Sequence, residues 1–221
     1  MPMLNHIHPR TSTSLCHVYD LRFQSLLGPK LWNALPSAVQ NRFSKHLGQG
    51  YSAIYKGYVQ YTKLNLPGRI LAQMLRLIGA PLPLDTDNDN QAAVVTVTED
   101  LNGGGQFWTR QYGRQEGFPQ VIHSTKQFTG PTGLFEYIGY GIGMSLKLKV
   151  ENEALNFLSD QYFLGFGKWR LPLPKWLTPG QLHVGHADHG EGWFEFTLKL
   201  VHPVFGKLVD QSAMFCDEVE I

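Results

Sequence analysis

Cysteine is nearly absent from this 221-residue chain, which has only Cys16 and Cys216. That excludes a disulfide scaffold. Two unbridged thiols in a reducing compartment are the expectation, with a single long-range bridge the alternative. Charge is also scarce, at 17% Asp, Glu, Lys and Arg, and it balances to a net +1. Without a cationic surplus there is no electrostatic basis for binding nucleic acid. No apolar run reaches the length that a membrane-spanning helix needs. The opening MPMLNHIHPRTSTSLCHVYDL lacks the basic stretch followed by an apolar one that marks a secretory signal. The expectation is a soluble, cytoplasmic protein without a membrane span. Residues 1–20 read as a flexible arm, with His6 and His8 solvated in it, ahead of one β-rich domain over 21–221.

The signatures of common catalytic sites are missing too. Asn102-Gly103-Gly104-Gly105 leads into no helix and no Lys-Ser/Thr pair, so it is not a phosphate loop, and no dinucleotide fingerprint exists. Asp85, Asp87 and Asp89 alternate like the first ligands of a calcium loop, but the glycine and distant glutamate of that loop are lacking. There is no G-x-S-x-G, HExxH or CxxC. No cofactor and no independent catalytic activity are expected.

What is abundant is turn and aromatic chemistry, with 23 glycines, 13 prolines, 13 phenylalanines, nine tyrosines and five tryptophans. Helical periodicity is confined to the first 79 residues. Leu31, Trp32, Leu35, Val39 and Phe43 recur at three- and four-residue spacing, and Pro36 divides them between two short helices, the second starting at Ser37. Pro67 opens a clearer helix whose buried face is expected to be Ile70, Leu71, Met74, Leu75 and Ile78. Arg69, Gln73 and Arg76 point outward, and Gly79 ends it.

Strand patterns cover residues 51–64, 92–101, 106–112, 120–128, 134–140, 143–150, 154–160, 161–171, 192–200 and 207–216. In the stretch 161–171 both parities carry large apolar groups, so neither face reads as solvated. Pro172 and Pro174 stop regular pairing there, and Trp176 and Leu177 are expected to fold back as a lid. Short connections without alternating helices rule out a parallel doubly wound sheet. The fold expected is α+β but β-dominated: a strongly bent antiparallel sheet or barrel of about eight or nine strands, capped by the N-terminal helices, because closure removes exposed edges.

The ordered motifs LGPKLWNALPSAVQNRF, KLNLPGRILAQMLRLIGAPLPL, FWTRQYG, GLFEYIG, KWRLPLPKWLTP and WFEFTLKLVHPVFGKL resemble a bacterial family known as domain of unknown function 4166. The resemblance runs from about Leu27 to Phe215. It departs where relatives carry an aromatic-glycine pair and this chain has Gln211-Ser212-Ala213. Members occur alone or fused behind NAD(P)-binding domains resembling saccharopine dehydrogenase. The resemblance therefore implies a possible oxidoreductase partner on a separate chain, but no reaction.

Candidate binding residues follow from strand parity. Trp108, Arg110 and Tyr112 share one face, and the tryptophan should draw that face inward. A buried guanidinium cannot shed its charge, so Arg110 needs an anionic partner, either Glu136 within the fold or the carboxylate or phosphate of a ligand. Lys168, Trp169 and Arg170 are added from the aromatic segment. His183, His186 and His189 have metal-compatible chemistry, but the glycines among them read as a polar loop, so no metal site is expected. The function expected is a binding module that holds a small apolar or amphipathic ligand in its interior. The alternatives are an accessory module for an oxidoreductase and an oligomerising interaction module.

Overall fold

The structure is a computed structural model and describes residues 19–48, 52–79, 81–87, 89–130, 133–167 and 169–217. Two helices come first, α1 (Arg22–Trp32) and α2 (Ser37–Phe43). Strand β1 (Ser52–Leu64), helix α3 (Leu66–Leu75) and a 3₁₀ turn (Arg76–Ile78) follow. After these the chain is almost entirely strand: β2 (Ala92–Asp100), β3 (Gly105–Tyr112), β4 (Gln120–Thr129), β5 (Gly133–Gly139), β6 (Ile142–Glu151) and β7 (Ala154–Phe166). Then come the short β8 (Trp169–Pro172), a second 3₁₀ turn (Lys175–Leu177), β9 (Gln181–Gly190), β10 (Trp193–His202) and β11 (Gly206–Cys216).

Each strand from β1 to β7 pairs antiparallel with the next, β7 pairs with β9, and β9, β10 and β11 lead back to β1. The result is a closed antiparallel barrel of ten strands, with β8 hanging outside on β7. Register shifts at Val59/Tyr61, Leu200/Val201 and Met144/Leu146 interrupt the ladders and bend the wall. Period-two alternation sets the faces. Trp108, Arg110 and Tyr112 of β3, and Phe194, Phe196, Leu198 and Leu200 of β10, are buried inside.

One end of the barrel is plugged. The chain enters α1 beside Asp20, whose carboxylate accepts from the backbone and guanidinium of Arg22, and Arg22 also grips Glu99. Gly28, at φ +75°, breaks α1 ahead of Pro29, and the turn delivers Phe23 and Phe43 edge-on to each other at 5.1 Å. Phe23 also packs at 5.0 Å on Phe128, and Phe43 at 5.0 Å on His186. Arg42 fastens the plug to the rim through Asp188 at 2.8 Å and Asp217 at 3.0 Å, while stacking over Phe194.

Helix α3 crosses the opposite end. Asn65 caps it by accepting from Gly68 N–H, and its amide donates to Phe205 O between β10 and β11. Gly68 lies so close to β11 that a Cβ there would sit 2.0 Å from Leu208 O. At the far end Gly79, at φ +101°, brings the chain near His123 of β4 and Ile138 of β5. The segment after it is held by Gln120, which accepts from Leu84 N–H and donates to Leu82 O.

Several expectations need correction. The barrel has more strands than the eight or nine anticipated. The histidine segment is strand β9 rather than a loop, because antiparallel pairing with both β7 and β10 outweighs its glycines. Residues 154–171 form one long strand and a separate short one, divided at Gly167 with φ +60°. On α3 the buried position is Ala72, with Leu71 and Leu75 half-buried, whereas Ile70 and Met74 are exposed. Trp176 and Leu177 are also exposed, so the chain beyond Pro174 is no lid over the interior. Cys216 is a free thiol. Cys16, His6 and His8, and all but the last two residues of the expected arm, lie outside the described residues.

Gly68→Ala is expected to push α3 off β11 and to cost about 1–3 kcal/mol in denaturant unfolding, the usual penalty of overpacking a close contact. An unchanged midpoint would show that α3 is not held there.

Candidate ligand-binding site

The middle of the barrel is polar. Glu136 of β5 accepts from the Ser124 hydroxyl at 2.6 Å and from Lys126 Nζ at 3.2 Å, both on β4, and Arg110 Nη2 lies 3.7 Å from the same carboxylate oxygen. Arg110 also donates to Ser124 at 3.4 Å. All four side chains are buried. Burial opposes ionisation of Glu136, but Lys126, Arg110 and the Ser124 hydroxyl outweigh it and hold its carboxyl below the usual range. Burial pushes the Lys126 ammonium down, and neighbouring Arg110 adds to that, against the pull of Glu136. Two basic side chains thus share one acid inside the barrel, and Arg110 Nε has no hydrogen-bond partner among the described residues. Lys126 also faces the rings of Trp108 at 4.6 Å and Phe157 at 5.3 Å, which partly replace its lost hydration.

Arg110, Ser124 and Glu136 line a cavity of about 60 Å³ whose other walls are mostly apolar, including Met144, Leu182 and Leu198, with His123 and Tyr162 as further polar members. It extends to half-buried Leu75, Pro81 and Pro179, so it reaches the end that α3 crosses. That volume holds roughly four waters at about 15 Å³ each, or one small anionic head group. Tyr112 and Tyr162 are raised to about 12, by burial first, and so stay neutral hydroxyls. A smaller cavity of about 30 Å³ lies on the plug side, walled by Phe23, Phe43, Trp108, His186, Phe194 and Phe196. It is mostly aromatic, and the cations on its edge, Arg42 and Lys45, pair with Asp188 and Asp217 near the surface, although Arg42 Nη1 has no hydrogen-bond partner among the described residues. The larger cavity, with the buried acid Glu136 on its wall, is the candidate site.

His186 lines the smaller cavity, with Nδ1 buried and unpartnered among the described residues. Burial, then Lys126, Arg42 and Arg110, hold its imidazole well below its ordinary value. His183 bonds Asn156 at 2.8 Å, and His189 faces Glu195 at 3.3 Å. Three-residue spacing on a strand alternates faces, so the three rings do not converge, and no metal-ligating group of three stands together among the described residues.

Of the seven residues expected from sequence, Trp108, Arg110, Tyr112 and Glu136 are buried inside the barrel, but only Arg110 and Glu136 line the larger cavity, while Trp108 lines the smaller one. Trp169 and Arg170 are on β8, outside the barrel. Trp169 is 80% exposed, and Arg170 donates to Tyr137 Oη at 2.9 Å while stacking over Phe135. Lys168 lies outside the described residues. Ser124, Lys126 and His186 were not among those chosen. Ser124 and Lys126 share the parity of Ile122 and Phe128, and that alternation is the signal that would have found them.

The family model for domain of unknown function DUF4166 matches residues 35–215 of this chain. The chain belongs to the DUF4166 family. That match spans every barrel strand as far as Phe215 and the whole polar cluster of this DUF4166 domain. No curated protein and no solved structure matches it. No helix among the described residues is long and apolar enough to cross a membrane.

Glu136→Ala strands Arg110 and Lys126 together and is expected to cost on the order of 3–5 kcal/mol in denaturant unfolding. Arg110→Ala should cost distinctly less, because Lys126 and Ser124 still serve the carboxylate. The opposite ranking would show that Arg110, not Lys126, carries the pair.

Stability should also fall on acidification through 6.5, the ordinary value for imidazole. The unfolded chain takes up a proton at residue 186 there, while the folded one resists it. His183, also lowered by burial first, contributes with the same sign. His186→Phe is expected to flatten this slope between neutral pH and about pH 5, read from unfolding midpoints. An unchanged slope would mean that His186 is protonated in the fold.

Proposed function

We propose that this domain binds a small amphipathic molecule with an anionic head. The head sits at Arg110 and Ser124, and the tail leads out beneath α3. The observation that supports this reading is a buried cluster with two bases to one acid, whose Arg110 Nε is unpartnered among the described residues and whose cavity reaches the barrel's α3 end. A carboxylate or phosphate would take that donor and balance the charge, and the guanidinium fork suits either group. The cavity is too small for a long tail. The tail therefore lies along apolar Leu182, Leu198 and Leu200 and exits past half-buried Leu75, which requires α3 to yield slightly.

Decanoate is the test probe and decanol its neutral control, each titrated by calorimetry. Decanoate should bind and decanol much more weakly. Arg110→Gln should reduce decanoate affinity by at least about tenfold, the scale of one charge-assisted bond, and leave decanol unchanged. A bound anion also favours protonated Lys126, so decanoate affinity should fall as pH rises through the lowered pKa of that lysine. Equal affinity for the two probes, or an Arg110→Gln variant that binds decanoate like the wild type, would overturn the reading.

A further inference from the structure

Exposed large apolar side chains crowd one end of the barrel. Ile70, Met74 and Leu77 form the outer stripe of α3 and its 3₁₀ turn, with Leu77 84% exposed. Val204 and Phe205 project between β10 and β11, and Trp169, Leu171, Trp176 and Leu177 project from β8 and the turn after it. These segments belong to one end, because antiparallel order puts the end of β1, the start of β11, the end of β10, the start of β9 and the end of β7 on the same rim. Asn65 joins two of them directly through its bond to Phe205 O. Single exposed apolar residues are ordinary, but a contiguous set on neighbouring elements is not.

Charge on this arc is mainly cationic. Residues 64–84 and 161–187 contain no Asp or Glu, whereas Arg69, Arg76, Arg170 and Lys175 stand exposed among the apolar groups. The acids towards this end are Asp85, Asp87, Asp89 and Glu116, on the connections that lead into β2 and out of β3, and Asp210 near the start of β11, which is paired with Lys207. Asp85 is moreover paired with Arg114.

We propose that this arc docks on an anionic lipid surface, with the α3 stripe and the two tryptophans entering the interface and the cations meeting lipid head groups. Tryptophan and apolar side chains flanked by Arg and Lys are the composition such interfaces favour. A second copy of the chain fits poorly. A two-fold contact through this face would set Arg69, Arg76 and Lys175 against the same cations. The proposal deepens the proposed function, because the docked end is the one the ligand cavity reaches, and a molecule with an acidic head and apolar tail would pass there between bilayer and barrel.

Vesicle flotation tests it, using phosphatidylcholine alone and phosphatidylcholine mixed with phosphatidylserine. The protein should float with the mixed vesicles, far less with the neutral ones, and less as salt rises. Tryptophan emission should shift to the blue on the mixed vesicles, and Trp176→Ala should remove much of the shift. Met74→Glu with Leu77→Glu, and separately Arg69→Glu with Arg76→Glu, should each lower partitioning by on the order of tenfold or more. All four sites are exposed, so the circular dichroism spectrum should be unchanged. Both pairs should keep decanoate binding, and Arg110→Gln should keep vesicle binding, so the ligand reading and the docking reading can fail separately. Docking is overturned if the wild type floats with neither vesicle, or if both variants float like the wild type. It is equally overturned if light scattering finds a wild-type dimer that Met74→Glu with Leu77→Glu makes monomeric.

Discussion

Ring closure is the constraint on which the rest of this molecule depends. Once β1 pairs with both β2 and β11, no strand of the ring is left with a free edge, and β8 needs only a short ladder on β7. Ten strands also enclose more space than eight, and eight already give an interior that side chains just fill. The extra volume has to be occupied. At one end it is filled from outside the sheet by Phe23, Val39 and Phe43 of the helical plug, which are buried with the strand residues of the core. Nearer the other end it is left partly open as the cavity beside Arg110.

That division explains where the charges sit. The plugged half is aromatic: Phe43, Trp108, Phe157, Phe194 and Phe196 surround His186, whose ring stays neutral for lack of hydration. Such a wall cannot solvate an ion, so Arg42, at its edge, pairs with Asp188 and Asp217 near the surface through Nη2 and Nε, while its Nη1 has no hydrogen-bond partner among the described residues. Arg110 and Lys126, also buried, have one acid between them. Burying a cation without full pairing is costly and adds nothing to the fold that an apolar residue of similar size would not. The charge of the ligand proposed above would balance Arg110 and Lys126.

Much of this was legible in the sequence, and the illegible part has definite physical causes. Alternation over Trp108, Arg110 and Tyr112 fixes an inward face because tryptophan has far more to gain from burial than the Thr109 and Gln111 opposite. The same rule fixes Phe194 through Leu200. It fails at β9, where glycines look like a loop until a partner strand is present on each side; pairing is a tertiary fact. It fails differently on α3. Periodicity shows that Ile70, Leu71, Met74 and Leu75 lie along one apolar side of the helix, but not how much of that side is covered. Gly68 and Ala72 are what touch the barrel, because small residues allow the close approach seen at Leu208. The larger side chains are left outside. Lys126 escaped notice for a related reason. A lysine on a strand is normally solvated, and only the fold reveals a carboxylate 3.2 Å away inside the barrel.

The two ends of the barrel are accordingly unlike, and the difference has a direction. At the plug, polar groups tie helices to strands through Arg22, Asp20, Glu99, Arg42, Asp188 and Asp217, so opening that end would separate several ion pairs at once. At the other end α3 is held by its cap at Asn65, by the contact of Gly68 with β11 and by half-buried Leu71 and Leu75, with no ion pair to the barrel among the described residues. Local opening follows the weakest set of contacts. The cavity beside Arg110 and the apolar, cationic arc meet at that same weaker end. A molecule entering the barrel would therefore arrive past α3, and its charged head would meet the only buried donor in the cavity that the described residues leave unpartnered.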